Sequence, residues 1–234
     1  MLPIAERFEV VSSLPAWGYV VVLVVSLLLS FVLVPVAMAV ALRFGFLDHP
    51  GPAKSHREAV PYMGGAAIVV SFAAVVLAGD ALDPPPSGLP QLAGFLGVGV
   101  ALAIVGLLGG ISVWIRLGLE VGADVALWSM GISTHLAGVP GPLNAVITVA
   151  RVVGITNAFN LLDNMDGLSA GTVVIAALAI FGVGALQRRY LVSALALALA
   201  GCAAGFLQAN FHPARVYMGD AGSLSWVLSS PCCS

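Results

Sequence analysis

Trp17-Gly-Tyr-Val-Val-Val-Leu-Val-Val-Ser-Leu-Leu-Leu-Ser-Phe-Val-Leu-Val-Pro-Val-Ala-Met-Ala-Val-Ala-Leu42 contains no charged side chain. As a helix it is long enough to cross about 30 Å of hydrocarbon with residues to spare for tilt. It is also too long for the core of a cleaved signal peptide, so the segment that begins with Glu6, Arg7 and Glu9 is expected to lead into a retained membrane helix. Pro35 removes one backbone donor and is a candidate kink. The rest of the chain agrees in composition. Hydrophobic residues make up 60% of its 234 positions and charged residues 9%, where soluble domains average nearer a quarter charged.

Further apolar runs follow at about 64–78, 92–108, 117–132, 143–158, 168–186 and 191–207. The expected fold is therefore an all-α, polytopic transmembrane bundle of about seven segments. Arg43, Lys54, Arg57, Arg116 and Arg215 fall on one side of it and place that side in the cytoplasm; Arg188 and Arg189, in an outer turn, go against the rule. The loop from Asp80 to Pro90 carries two carboxylates and no basic residue, which suits the outside. Glu120 and Asp124, four apart on one helix face, would each cost a few kcal/mol near the bilayer centre. Either that segment is interfacial or that face looks into the protein, where Arg151 is a candidate partner.

Polar residues concentrate in three cytoplasmic stretches. Thr156-Asn-Ala-Phe-Asn-Leu-Leu-Asp-Asn-Met-Asp-Gly-Leu-Ser-Ala-Gly171 sets Asn157, Asn160, Asp163 and Asp166 at every third position. Such a step drifts around an α-helix, so all four converge only if the helix tightens or breaks near Asp163, and Gly167 offers the break. The loop from Arg43 to Met63 holds Asp48, Lys54 and His56. Lys54 and His56 suit phosphate groups, or the loop's basic residues simply hold it in the cytoplasm. Asn210 to Ser223 holds Asp220 between Gly219 and Gly222, a tight turn able to bring backbone close to a ligand.

Carboxylates with a lysine suit Mg²⁺, which takes one or two carboxylates and fills its remaining positions with substrate phosphate oxygens. The Asn/Asp stretch lacks the alternation and late Glu of an EF-hand, and Gly51 to Ser55 lacks the Gly that a P-loop needs before its Lys. Thiolate and paired-His metal sites are absent, and the three cysteines suggest no disulfide framework. A net charge of −2 gives no basic surplus for nucleic acid. The residues thus read as a membrane enzyme acting on a phosphorylated or diphosphate substrate with Mg²⁺.

Three blocks carry a more specific signal: Asp48-His-Pro-Gly-Pro-Ala-Lys-Ser-His56 through Pro61 to Gly64-Gly65; Asn157 to Gly171; and Pro213-Ala-Arg-Val-Tyr-Met-Gly-Asp-Ala-Gly-Ser223. In this order, from about Phe46 to Ser223, the sequence resembles the polyprenyl-phosphate N-acetylhexosamine-1-phosphate transferases. The resemblance implies transfer of a sugar-1-phosphate from a UDP-sugar to a polyprenyl phosphate, giving UMP and a lipid-diphosphate sugar, by a multi-pass protein of the bacterial plasma membrane. It makes Asp163 and Asp166 the active-site acidic pair and Lys54 and His56 the first-loop basic pair. Asp220 matches the Mg²⁺ ligand (Mn²⁺ as a substitute), with Asn160 beside it, and Asn157, Asn160, Asp48, Arg215 and Gly219 fall around the substrate. A homodimer is compatible with the same family. Ala221, with the Asp-x-Pro opening of the first loop, resembles the GlcNAc-1-phosphate branch more than the phospho-N-acetylmuramoyl-pentapeptide branch.

Departures from the family pattern are Gly109-Gly110 where members carry an Asp pair, Ala53 for a usual Arg, and Arg151 at a usually apolar position. The whole chain reads as one membrane-embedded domain that stops mid-architecture, with 224–234 aberrant. Two rival readings are a membrane transport protein, which would use the intramembrane charges but leave the three blocks without a role, and a catalytically inactive remnant.

Overall fold

A computed structural model of the protein describes residues 15–48, 59–82, 89–108, 112–129, 139–163 and 165–219. Lys54, His56, Gly109, Gly110 and Asp220 lie outside these residues. The described chain forms helices α1 (Ala16–Phe44), α2 (Gly64–Leu82), α3 (Leu89–Leu108), α4 (Val113–Ser129), α5 (Gly141–Leu162), α6 (Leu168–Leu186) and α7 (Tyr190–Asn210). Each expected membrane segment has its helix, and the all-α polytopic bundle stands. Helices α1, α2, α5, α6 and α7 are long and apolar enough to cross a membrane. Between α1 and α2, strands β1 (Leu47–Asp48) and β2 (Val60–Pro61) pair antiparallel, Leu47 opposite Pro61 and Asp48 opposite Val60.

Helix α5 continues past the expected boundary at 158 to Leu162 and takes Asn157 and Asn160 into its last two turns. No Gly or Pro interrupts it there. The Asn157 side chain donates to the Val153 carbonyl (2.9 Å), so its amide is satisfied without disturbing the helix. The backbone turns only after Asp163, and Gly167, in the left-handed region at φ +71°, lets α6 set off in the opposite direction.

Helices α1, α2, α6 and α7 form the dense half of the bundle, around Val34, Ile68, Phe72, Val173, Cys202 and Phe206. Between α1 and α7 the backbones approach closely, because small residues face one another at one-turn spacing. Ser26 and Ser30 of α1 are fully buried opposite Gly201 and Gly205 of α7. A Cβ at Gly201 would lie 2.6 Å from the Leu23 carbonyl oxygen, and one at Gly205 2.5 Å from that of Leu27. The Ser30 hydroxyl donates across the seam to the Cys202 carbonyl (2.8 Å). In lipid, where apolar burial drives no association between helices, such packing and cross-helix bonding hold them together. The opposite face of α1, with Val20, Val24, Leu28 and Val32 exposed, suits contact with lipid tails.

Helix α4 resolves the question raised by its acidic face. Glu120 and Asp124 are both buried, so that face looks into the protein. The chain direction alternates from helix to helix. The C-terminal ends of α1, α5 and α7 and the N-terminal ends of α2 and α6 therefore meet at the end that the charge pattern assigns to the cytoplasm. In a background lacking native cysteines, Arg188→Cys in the α6–α7 turn should react with an impermeant external thiol reagent, and Arg215→Cys should be shielded. The reverse labelling pattern would invert the bundle.

Candidate active site

Asp163 closes α5 and is 8% exposed. Its Oδ1 accepts the Met218 N–H (3.2 Å) and its Oδ2 the Gly219 N–H (2.8 Å). From the other side, the first residues of α2 hold the same segment: the Gly64 N–H donates to the Tyr217 carbonyl (3.1 Å) and the Gly65 N–H to that of Met218 (2.8 Å), while the Tyr217 N–H donates to the Pro61 carbonyl (2.9 Å). Residues 216–219 are thus clamped between the start of α2 and the end of α5. Glycine is required at two points of this clamp. A Cβ at Gly64 would lie 2.8 Å from the Tyr217 carbonyl oxygen and strike the Phe206 ring; Gly219, at φ +70°, has no room for one against Tyr62.

Asp166, in the turn before α6, accepts three hydrogen bonds from the following α7 loop. Its Oδ2 takes His212 Nδ1 (2.8 Å) and the Ala214 N–H (3.1 Å), and its Oδ1 takes the Tyr217 hydroxyl (3.1 Å). Burial pushes its carboxyl upward, but the bond from Ala214, those from His212 and Tyr217, and the charge of His212 outweigh it, so the group titrates below its ordinary value. A carboxylate with a depressed pKa stabilises the fold above its unfolded value, about 3.9, and loses that contribution as pH falls through the folded value. Protection of the Ala214 amide against hydrogen exchange should therefore hold from neutral pH down past 4 and fail only in stronger acid. Failure between pH 5 and 7 would contradict this anchoring.

Asn210, 1% exposed at the end of α7, ties the two loops together. Its Oδ1 accepts the Gly167 N–H (3.1 Å) and its Nδ2 donates to the Val216 carbonyl (2.9 Å). Sequence reading missed Asn210, His212 and Tyr217 as site residues. The available signal was a carboxamide at the end of an apolar helix, followed by an aromatic and an imidazole within one short loop.

The expected convergence of all four Asn/Asp positions does not occur. Because α5 stays helical to Leu162, Asn157 is turned toward α4, where its Nδ2 donates to Glu120 Oε2 (2.6 Å). Glu120 is fully buried and also accepts Arg116 Nε through Oε1 (3.2 Å). These charge-assisted bonds offset the cost of holding a carboxylate inside the bundle. Asp163 and Asp166, beyond the break, serve the 211–219 loop. Asn160 lies one turn before Asp163 and is half-buried, as is Asp48 on β1. The Arg215 side chain is exposed, while its backbone N–H donates to the Ala209 carbonyl (2.8 Å).

Among the described residues no three His, Cys, Asp or Glu side chains come together as a metal cage. The donors that are present fit Mg²⁺ of the kind completed by phosphate oxygens. The residue after Gly219 is a carboxylate and Asn160, one turn before Asp163, carries a carboxamide, donors of the types Mg²⁺ takes.

The sequence model of the family described as glycosyl transferase family 4 matches residues 92–230. A Bacillus subtilis (strain 168) protein named "Probable undecaprenyl-phosphate N-acetylglucosaminyl 1-phosphate transferase" is 33% identical over 216 residues, 88% of this chain and 59% of the relative. A Mycolicibacterium smegmatis decaprenyl-phosphate N-acetylglucosaminephosphotransferase is 32% identical, over 79% of this chain and 51% of its own length. A Heliobacterium modesticaldum phospho-N-acetylmuramoyl-pentapeptide-transferase is 32% identical, over 89% and 70%. The chain spans between half and six-tenths of the length of the first two.

Proposed function

Since the chain belongs to glycosyl transferase family 4, we propose that it is a multi-pass transferase of the bacterial inner membrane. It moves a sugar-1-phosphate from a UDP-sugar to a polyprenyl phosphate in cell-wall or surface-polysaccharide synthesis. An oxygen of the lipid phosphate attacks the sugar-bearing phosphorus of the diphosphate, the bond from that phosphorus to the bridging oxygen breaks, and UMP departs with the electron pair. The observation that carries this reading is the clamp on residues 216–219. It joins all three polar blocks at one end of an apolar bundle, through Gly64 and Gly65, Asp163, and Met218 and Gly219.

In this reading Asp163 holds the loop that leads into Asp220, and Asp166 orients the stretch from His212 to Tyr217. Asp220 and Asn160 would hold Mg²⁺, which would neutralise charge developing on the diphosphate. Lys54 and His56 meet phosphate oxygens; Asp48 and Arg215 lie around the nucleotide sugar. Asn157 has both amide hydrogens engaged by Glu120 and Val153, so it offers its carbonyl oxygen alone, an acceptor suited to a hydroxyl, an imide N–H or a cation and not to a phosphate.

GlcNAc-1-phosphate is the favoured group, supported by Ala221 and by the names of two relatives. The phospho-N-acetylmuramoyl-pentapeptide reading is kept because a relative of that name is similar over nine-tenths of the chain. Binding of UDP-GlcNAc and of UDP-N-acetylmuramoyl-pentapeptide, with and without Mg²⁺, separates the two. The proposal expects Mg²⁺-dependent binding of UDP-GlcNAc that is lost in Asp220→Asn. Preference for the pentapeptide nucleotide would transfer the chain to the other branch, and metal-independent binding of equal strength in both proteins would remove the metal role.

A further inference from the structure

His212 is the one histidine among the described residues, and its side chain is 82% exposed even though one ring nitrogen is fixed. Nδ1 sits 2.8 Å from Asp166 Oδ2. An ionised carboxylate only accepts, so Nδ1 carries the hydrogen, and in the neutral ring the lone pair of Nε2 is left facing outward. Asp166 is itself fixed by the Ala214 N–H and the Tyr217 hydroxyl. The pair is therefore an oriented imidazole with an anion behind it, able to take up a proton at Nε2 and to hold the resulting imidazolium as an ion pair.

Resting on the transferase reading, we propose that the Asp166–His212 pair is the docking site for a phosphate monoester borne by a lipid, with Nε2 taking the monoester's second proton. The P–O–H bond of the monoanion breaks, an N–H bond forms at Nε2, and the dianion stays paired with the imidazolium. Two observations select this ligand. First, a bare acceptor nitrogen repels an oxygen that carries no hydrogen. A phosphate monoester keeps a titratable proton to a pKa near 6, whereas the two phosphates of a UDP-sugar, both diesterified, have none near neutrality. Second, the polar pair has an apolar border. Phe211, 66% exposed, lies against Gly167, and Leu161 and Met165 are exposed at the end of α5. An edge of this kind matches a headgroup at the boundary of headgroups and tails. Among the described residues, the charged and titratable groups around the ring are Asp166 and Tyr217 on its carboxylate side and Arg215, three positions on in the same loop; Asp163 faces away, to Met218 and Gly219.

The test is a ³¹P NMR titration of farnesyl phosphate with the protein in nanodiscs. The monoester's second ionisation should move down by about one pH unit, a tenfold change in its proton affinity, relative to empty nanodiscs. His212→Gln, whose amide can still donate to Asp166, should abolish that shift while the Ala214 amide stays protected. Equal midpoints in wild type and variant overturn the proposal, and an equal shift of inorganic phosphate at the same concentration overturns the lipid as its source. UMP release is measured separately. Its absence would overturn the transferase reading, and the phosphate titration would still report on the pair.

Discussion

Asp163→Asn should lower kcat/KM for the UDP-sugar by two to four orders of magnitude with the helices intact. The carboxylate makes two hydrogen bonds to backbone N–H groups, at Met218 and Gly219. Bonds to a charged group contribute about 1.5–3 kcal/mol each. The amide offers one oxygen and turns an NH₂ toward the other N–H, so one bond is lost outright and the other weakened. The 216–219 segment then keeps its links to Pro61, Gly64, Gly65, Asn210 and Asp166, but the backbone leading out of Gly219 is no longer held from the α5 side. The lost bond, the weakened one and the NH₂ set against an N–H together cost about 3–5 kcal/mol, which corresponds to the stated factor. Steady-state kinetics with a circular-dichroism control would check it, and activity within tenfold of wild type would deny Asp163 this role.

Asn210→Leu should have the largest effect on stability. Leucine fills a similar volume but leaves the Gly167 N–H and the Val216 carbonyl without their partner, in a place where the side chain is 1% exposed. Each stranded group costs about 1–3 kcal/mol, so a total of about 2–6 kcal/mol is expected in detergent unfolding. The loss should appear first as exchange of the 211–219 amides, before the α1–α7 seam opens. A variant as stable as wild type would mean that water serves both groups.

The membrane fold is legible in the sequence because charge is scarce. Arg43, Arg116 and the Asn/Asp stretch break otherwise apolar runs, and they fall in the end turns of α1, α4 and α5, so they mark the helix boundaries to within a few residues. The boundary at α5 was misread, because polar Asn157 and Asn160 look like loop residues, yet an asparagine that bonds back to Val153 and across to Glu120 costs a helix little. The three blocks could be assigned to one end of the bundle from span alternation alone. What joins them could not. The bond partners of Asp163 are backbone N–H groups more than fifty positions away, and a backbone amide leaves no residue-type signature. His212 and Asn210 were passed over because their partners in the α5–α6 turn are brought near only when α6 and α7 pack as an antiparallel pair. The seam of Gly201 and Gly205 against Ser26 and Ser30 is visible in retrospect as two small-residue pairs at a spacing of four.

The central claim is that this bundle end transfers a sugar-1-phosphate to lipid. Its most direct test is UMP release by the protein in nanodiscs given UDP-GlcNAc, Mg²⁺ and polyprenyl phosphate, with the lipid product quantified in the same reaction. The account predicts UMP and lipid-diphosphate GlcNAc in equal amounts, both abolished when polyprenyl phosphate is left out. UMP release that does not depend on the lipid, or none from any UDP-sugar tested while the nucleotide binds, would contradict it.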